Sequence, residues 1–451
     1  MKSGCDLNEV EVLEPLLQRG GKTNGRILAT CVGFLADSYD LFTIDLVVLI
    51  LQLQYGEELI STGAKSLMVS TMLAGVVAGQ LFFGLLADWL GRKWAFVCTA
   101  GLTVLSALAC SMCYDSGLHG HLGLPLQLAL CRFLLGLGVG GEYPLSATVS
   151  AEAVGDASGR GQIMTLVLSM QGLGMLLASL LAMFLVTVGL SLEATWRLLL
   201  AFGSFPSAIA FCLRWHLSES EAFERCKSAE VLCERSHSQK VVTTLASCWP
   251  LLAGTSSAWL LMNMFTYSLG SFKSSIFETA QSSAADEVFQ QALFAALTSS
   301  FAIMGFLVGF QLIRHMSRYQ MQLYGFLALS VVFMVVSVCM EFWPKPSPTS
   351  QLIVLGLVFF GLNSGPNLTT YILPAEIFPT CVRATCHGIS AASGKIGAFL
   401  GTAAFPLVQR YYGMTAVYAA CGLAAALGVL VTYFLTPRQV LELETLDKEP
   451  L

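Results

Sequence analysis

Long apolar runs of this chain contain two kinds of residue that hydrocarbon tolerates poorly, and their chemistries are complementary. Glu142 closes the glycine-rich run Arg132-Phe-Leu-Leu-Gly-Leu-Gly-Val-Gly-Gly-Glu-Tyr-Pro, and Asp37 lies in Gly33-Phe-Leu-Ala-Asp-Ser-Tyr-Asp-Leu-Phe. Desolvation favours the neutral form of a carboxyl, so a buried acid is a candidate for reversible protonation near neutral pH. For Glu142 the alternative is a structural pair with Arg132, although ten residues on one helix separate them by nearly three turns. Lys395, in Ser-Gly-Lys-Ile-Gly, is the opposite case. A lysine inside an apolar segment needs an anion, and Gly394 and Gly397 leave room beside it for a neighbouring helix or a ligand. The stretch from Gly361 to Pro379 adds Asn367, Thr369, Thr370 and Tyr371 at mid-depth, where polar groups usually face a protein interior or a pathway. Together these residues suggest a transporter that holds an anion.

The elements that must position them are membrane spans. Hydrophobic residues make up 55% of the 451 and charged residues only 12%, with a mean hydropathy of +0.69, whereas a soluble protein carries about 25% charged residues. At ~20 apolar residues per span, segments near 26–53, 65–88, 94–114, 122–154, 162–187, 195–215, 249–271, 290–313, 321–342, 350–374, 383–407 and 413–435 give twelve helices. The charged gap Leu217–Lys240 divides them six and six, as a rocking transporter with a midplane site requires. The fold expected is therefore an all-α membrane protein of twelve transmembrane helices in two six-helix halves. Residues 1–25 form an N-terminal tail, 26–215 the first bundle, 216–248 a linker, 249–435 the second bundle and 436–451 a C-terminal tail. Residues 1–24 are polar and no secretory leader is expected. With both termini in the cytoplasm, 17 of the 24 Lys and Arg residues fall on the cytoplasmic side, among them Lys2, Arg19, Lys22, Arg235 and Lys448. The net charge of −5 says little about a ligand, since most charges sit in loops. Nothing points to nucleic acid, no nucleophile–base pair or metal cluster points to an enzyme, and oligomeric state is left open. Cys110-Ser-Met-Cys113 ends an apolar helix and is expected to be inert packing.

Between the second and third spans, Gly84-Leu-Leu-Ala-Asp88-Trp-Leu-Gly91-Arg92-Lys93 can form a conformational latch. Its glycines permit a tight turn, and Asp88 can pair with an arginine or with the N-terminal end of a neighbouring helix. The motif resembles the loop signature of the major facilitator superfamily. Its repeat in the second half, at 313–318, has Arg314 where the acid belongs and Ser317 where the glycine belongs, so the second latch is expected to be degraded.

A narrower resemblance covers almost the whole chain. Gly33-Phe-Leu-Ala-Asp37-Ser-Tyr-Asp40-Leu-Phe, Gly-Glu142-Tyr143-Pro-Leu-Ser-Ala-Thr with Glu152, Arg160-Gly161, Met170-Gln171-Gly172, Gly365-Pro-Asn-Leu-Thr-Thr-Tyr and Arg383-Ala-Thr-Cys-His-Gly to Lys395 are similar to the phosphate:proton symporters of fungi and plants. The resemblance implies import of inorganic phosphate driven by a proton gradient, with no cofactor, across the plasma membrane. It implies a phosphate site of Tyr143, Gln171, Trp259, Asn263, Tyr267, Asn367 and Lys395, and a proton route through Asp37, Asp40 and Glu142. The family's seventh-span pattern Trp-x-x-x-Asp-x-x-x-Tyr reads here Trp259-Leu-Leu-Met-Asn263-Met-Phe-Thr-Tyr267, whose spacing of four puts all three on one helical face. Asparagine is always neutral and can donate two hydrogen bonds, so it imitates a protonated acid. Plant and fungal members also carry aspartate at the position of Glu142, and their central loops are generally longer.

These departures keep two other readings open: an organophosphate transporter, for example for a glycerophosphodiester or another organic anion, and a phosphate sensor that barely transports. The short tails disfavour the sensor. Among lesser signals, Asn367-Leu-Thr is a glycosylation sequon inside a span and is expected to be unused. His315 and His387 are expected as solvated residues at helix ends. Trp196, Arg197 and Arg214 are expected as interfacial anchors. Asp45 either lines an outer cavity or ends at the interface, and Glu219–Glu234 is expected to be an amphipathic surface helix.

Overall fold

The computed structural model describes residues 7–114, 123–154, 157–232, 237–271, 283–342 and 347–438, with side chains from Thr23 onward except at 157–158, 229–232, 237–241, 270–271 and 348. Lys2, Arg19, Lys22, Arg235 and Lys448 of the basic asymmetry, Glu234 and the tail after Arg438 lie outside the described side chains. The described residues are almost wholly helical. The helices are α1 (Leu7–Leu59), α2 (Thr62–Leu90), α3 (Arg92–Ser111), α4 (Leu124–Glu152), α5 (Ala157–Thr187), α6 (Leu192–Trp215), α7 (Glu221–Leu232) and α8 (His237–Ser247). They continue with α9 (Trp249–Ser271), α10 (Ala284–His315), α11 (Arg318–Phe342), α12 (Pro348–Ser364), α13 (Pro366–Ile377) and α14 (Arg383–Leu435).

Twelve spans follow from this inventory. α12 and α13 share one span, broken at Gly365 (φ −145°, ψ −88°), because Pro366 lacks an N–H and drives the residue before it out of the helical region. The 53 residues of α14 make two spans, joined at Gly413. The φ of 80° there is one that glycine adopts without steric cost. The pairing of spans repeats between the two parts of the chain. α2 packs on α4, α1 on α5 and α3 on α6; correspondingly α10 packs on α12, α9 on the first part of α14 and α11 on its second part. The two sets meet where α5 crosses α10 and where α2 crosses α14. On α4, Gly136 and Gly140 touch the backbone of α2 so closely that an added Cβ would collide with the carbonyls of Met72 and Val76.

Polarity is inverted relative to a soluble protein. Arg132, Arg214, Arg383, Asp37 and Glu142 are buried, while Leu105, Phe184, Phe205 and Leu423 are exposed. Lipid can accept the apolar side chains but cannot satisfy the charges, so the charges turn inward. This corrects two of the expected interfacial anchors. Trp196 is completely buried, and Arg214 reaches into the interior instead of toward the interface. Arg197 keeps a surface position, pairing with Glu193 at 2.8 Å.

Candidate transport site

The α9 face carries Trp259 and Asn263, both buried, with Tyr267 half-buried one turn further. It lies against the bare backbone of Gly394 on α14, where a Cβ would stand 2.5 Å from Trp259 Cδ1 and 2.9 Å from Asn263 Nδ2. The adjacent residue, Lys395, is 3% exposed. Its ammonium donates to the Tyr267 hydroxyl and lies 5.1 Å from the centre of the Tyr143 ring, which comes from α4 in the other half. Tyr143 in turn approaches Trp259, with ring centroids 6.4 Å apart. Among the described residues no carboxylate pairs with Lys395; the groups that act on it electrostatically are Tyr143 and Tyr267.

Gln171 and Asn367 form a second cluster. Asn367 Nδ2 donates to Gln171 Oε1 at 3.2 Å across the two halves, and also to Asn363 Oδ1 at 2.7 Å. Asn363 Nδ2 is anchored on the Phe359 carbonyl at 2.7 Å. Asn363 therefore orients a residue of the site, and its position one helical turn before Asn367 is the signal that could have found it.

The three acids lie in the first half. Glu142 does not pair with Arg132, the alternative left open by the sequence. Arg132 instead reaches the Asp40 carbonyl at 3.3 Å and the Met72 sulfur. Glu142 is held by Arg214, whose Nη1 donates to Oε2 at 2.8 Å and whose Nη2 donates to Oε1. Successive residues on a helix point about 100° apart, so Glu142 faces the interior of its own half while Tyr143 faces the other. Asp37 and Asp40 are buried, and Asp45 is exposed.

Below the site, toward the α2–α3 turn, the structure is closed. Residues 138–151 and 368–388 are buried without a break, whereas Gln171, Tyr267 and Asn367 are half-buried. His387, expected in solvent, is fully buried, because it falls a turn inside α14 and faces the protein. Its ring stands edge-on to both Trp259 and Tyr371, with centroids 5.4 Å apart in each case. His387 Nε2 lies 3.1 Å from the Tyr371 carbonyl. Tyr371 OH and Ser146 Oγ, 2.9 Å apart, link the halves directly. His315 is exposed, as expected.

The latch lies deeper still. Asp88 pairs with Arg92 at 3.2 Å and accepts from the Thr385 N–H at 2.7 Å, at the N-terminal end of α14. Arg92 also meets Glu152 at 3.3 Å and donates to the Thr380 carbonyl at 2.7 Å. Glu152 binds Arg383 at 2.9 Å. Gly91 takes a φ of 114° between α2 and α3, and Gly84 lies so close to the Ala384 carbonyl that a Cβ there would come within 2.8 Å of it. Glu219 accepts from the backbone N–H groups of Arg92 and Lys93 at 3.0 and 3.2 Å, so it caps α3 rather than opening the surface helix, which begins at Glu221. The repeat of the latch has lost its acid, as the sequence indicates, but it keeps an ion pair. Arg318 binds Glu376 through two contacts of 3.0 Å.

Twelve spans in two similarly paired sets, with a polar site between them and a latch at one end, define a transporter of the major facilitator type. The chain belongs to the sugar (and other) transporter family, whose model matches residues 27–447. Within it the chain is 30% identical to inorganic phosphate transporter 1-2 of Oryza sativa subsp. japonica, covering 94% of this chain and 93% of the relative. It is 32% identical to inorganic phosphate transporter 1-1 of Arabidopsis thaliana, over 84% of this chain and 83% of the relative. It is also 32% identical to low affinity inorganic phosphate transporter 4 of Medicago truncatula, over 83% and 81%. The resemblance to the phosphate:proton symporters is thereby borne out. Among solved structures, the proton:xylose symporter XylE bound to 6-bromo-6-deoxy-D-glucose superposes with a TM-score of 0.75 at 17% identity, over 95% of this chain and 99% of that one. The inward-open form of XylE from E. coli gives 0.64, over 93% of this chain and 98% of that one, which shows the shared fold.

Proposed function

We propose that this integral, multi-pass membrane protein imports inorganic phosphate together with protons by alternating access. The observation that carries the reading is Lys395: a buried ammonium at the meeting of the two halves, bonded to a neutral hydroxyl and not to a carboxylate. Such a cation is costly in a membrane interior and is offset when an anion binds beside it. Tyr143, Trp259, Asn263 and Tyr267 supply donors around that anion, and Gln171 and Asn367 close it from the other side. Asp37, Asp40 and Glu142 form the proton route. Residues 26–215 and 249–435 rock about the site, and 216–248 joins them. Gly84, Asp88, Gly91, Arg92 and Lys93 belong to the latch that opens when the site turns inward. The basic asymmetry of the loops supports cytoplasmic termini, and the plant relatives support the plasma membrane.

A competition series tests this reading: labelled phosphate uptake against arsenate, sulfate, glycerophosphate and sugars. Inorganic phosphate and arsenate should compete strongly, and sugars not at all. Stronger competition by glycerophosphate than by phosphate would replace the substrate with an organic phosphate, the reading that Asn263 keeps open.

A further inference from the structure

The reading above assigns Asp37, Asp40 and Glu142 to the proton route as a group, yet their surroundings differ. Arg214 enters from α6 and is 1% exposed. Its guanidinium forks onto Glu142, donates to the carbonyls of Phe96 at 3.3 Å and Ala29 at 3.4 Å, and stacks 3.7 Å over the Phe96 ring. It therefore ties α1, α3, α4 and α6 together at the Glu142 carboxylate. Thr99 adds a contact of 3.5 Å to the same carboxylate. The space exists because position 33 is glycine: a Cβ there would overlap the guanidinium and stand 2.6 Å from Glu142 Oε1.

Three buried acids share this interior with two guanidinium groups. Glu142 takes Arg214, and Arg132 is the positive charge that acts on Asp40. Asp37 is left over. Its charged neighbours are Glu142, Arg214 and Asp40, and the one cation among them is already forked onto Glu142. Asp37 Oδ2 and Asp40 Oδ2 are both buried without a hydrogen-bond partner, but Asp40 has its own guanidinium beside it, since Arg132 reaches the Asp40 main-chain carbonyl at 3.3 Å. A bidentate arginine stabilises the ionised form of a carboxyl, whereas an unpaired buried carboxyl is far cheaper to keep neutral. The titratable and charged groups facing this cluster are Cys31, Asp37, Tyr39, Asp40 and Asp45 from α1, Cys110 from α3, Arg132 and Tyr143 from α4, and Tyr371 from α13. None of them brings a third positive charge.

We propose that Arg214 is a positioning residue for proton coupling: by holding Glu142 as a carboxylate, it leaves Asp37 as the carboxyl that takes up and gives back the transported proton. The step is a proton transfer alone. Water at the open face supplies the proton to the Asp37 carboxylate, and water at the opposite face receives it after the halves have rocked. The proposal rests on the proton-coupled reading above.

The test is infrared difference spectroscopy across a pH step on the purified full-length chain with no added anion, read at the carbonyl stretch of protonated carboxyl groups. The titrating signal should disappear in Asp37→Asn and persist in Glu142→Gln. Arg214→Gln should add a second signal, and Arg214→Gln/Glu142→Gln should remove it again. In proteoliposomes Arg214→Gln should lose uphill uptake, and the pH profile of its labelled-phosphate exchange should differ from that of the unaltered chain. A signal lost in Glu142→Gln and kept in Asp37→Asn overturns the proposal, as does an unchanged pH profile in Arg214→Gln. The two single acid variants leave Arg214 in place, so they decide the matter even if Arg214→Gln does not fold. Failure of the unaltered chain to exchange labelled phosphate would remove the phosphate reading without touching the spectral result.

Discussion

The interiors of the two halves are built by the same helix pairings but charged in opposite ways. At mid-depth the first half buries Asp37, Asp40 and Glu142 with Arg132 and Arg214. The second half buries Lys395 there, beside Asn263 and His387. Its described carboxylates, Asp286, Glu287, Glu341 and Glu376, all lie within a few residues of a helix end. A repeated scaffold fixes where side chains point, not what charge they carry. One half can therefore specialise in proton exchange and the other in holding an anion, with Tyr143 and Lys395 as the contact between them.

Removing the cation from the second half should have the largest effect. Lys395→Gln deletes the charge opposed to the anion, a loss on the order of 2–5 kcal/mol for a buried hydrogen-bonded pair, or ~30-fold to well over 1,000-fold in affinity. Uptake at limiting phosphate should fall accordingly while membrane expression holds. An unchanged KM would take Lys395 out of the site.

Giving the second half an acid should blur the comparison itself. Asn263→Asp introduces a group with pKa ~4 in water, and burial and a bound anion both favour its neutral form. The variant should bind phosphate best at acidic pH and lose affinity as pH rises and the carboxylate ionises, by up to about tenfold per pH unit where one proton is linked to binding. Binding curves at two pH values on both proteins measure this. Identical profiles would refute the idea that the amide stands in for a protonated acid.

The two latches carry the same contrast to the closed end. Glu152 is bonded to Arg92 and Arg383, which are 1% and 0% exposed, whereas Glu376 is bonded to Arg318, which is 11% exposed, and also feels the charge of Arg160. Glu152→Gln strands more buried charge and should loosen the closed end more, where loss of one partner costs about 3–5 kcal/mol. Buried Cys386, beside the latch, reports this through its rate of reaction with a permeant maleimide, followed by peptide mapping. Equal rates in Glu152→Gln and Glu376→Gln would show that the lost acid at Arg314 has no consequence. The smallest effect belongs to a single neutral contact. Gln171→Ala removes one hydrogen bond, that accepted from Asn367, worth about 1 kcal/mol, and should raise KM roughly fivefold without altering the pH profile. A change in pH dependence would link Gln171 to the proton route.

Much of this was legible from the chain. Apolar runs of membrane length and the charged gap after Leu217 require twelve spans, because hydrocarbon accepts nothing else. Spacing of four placed Trp259, Asn263 and Tyr267 on one face, since i, i+4 neighbours on a helix share a face whatever they pack against. Cys110 and Cys113, expected as packing residues, are both free and buried. Motif order also marked Asp88, Gly91 and Arg92 as one unit.

Partners far apart in sequence were not legible. Arg214 reads as an interfacial anchor because it is the penultimate residue of α6, and only the packing of α6 against α3 and α1 turns it toward Glu142, 72 residues away. His387 reads as a helix-end residue until the crossing of α14 with α9 and α13 encloses it. Glu152 finds Arg383 across 231 residues, and Glu376 finds Arg318 although the repeat has lost its acid. The sequence by itself determined which segments cross the membrane and which residues are too polar to face lipid, because both follow from local transfer energies. Which charge neutralises which was decided only by the tertiary structure, because ion pairing depends on distances that helix packing sets and periodicity does not encode.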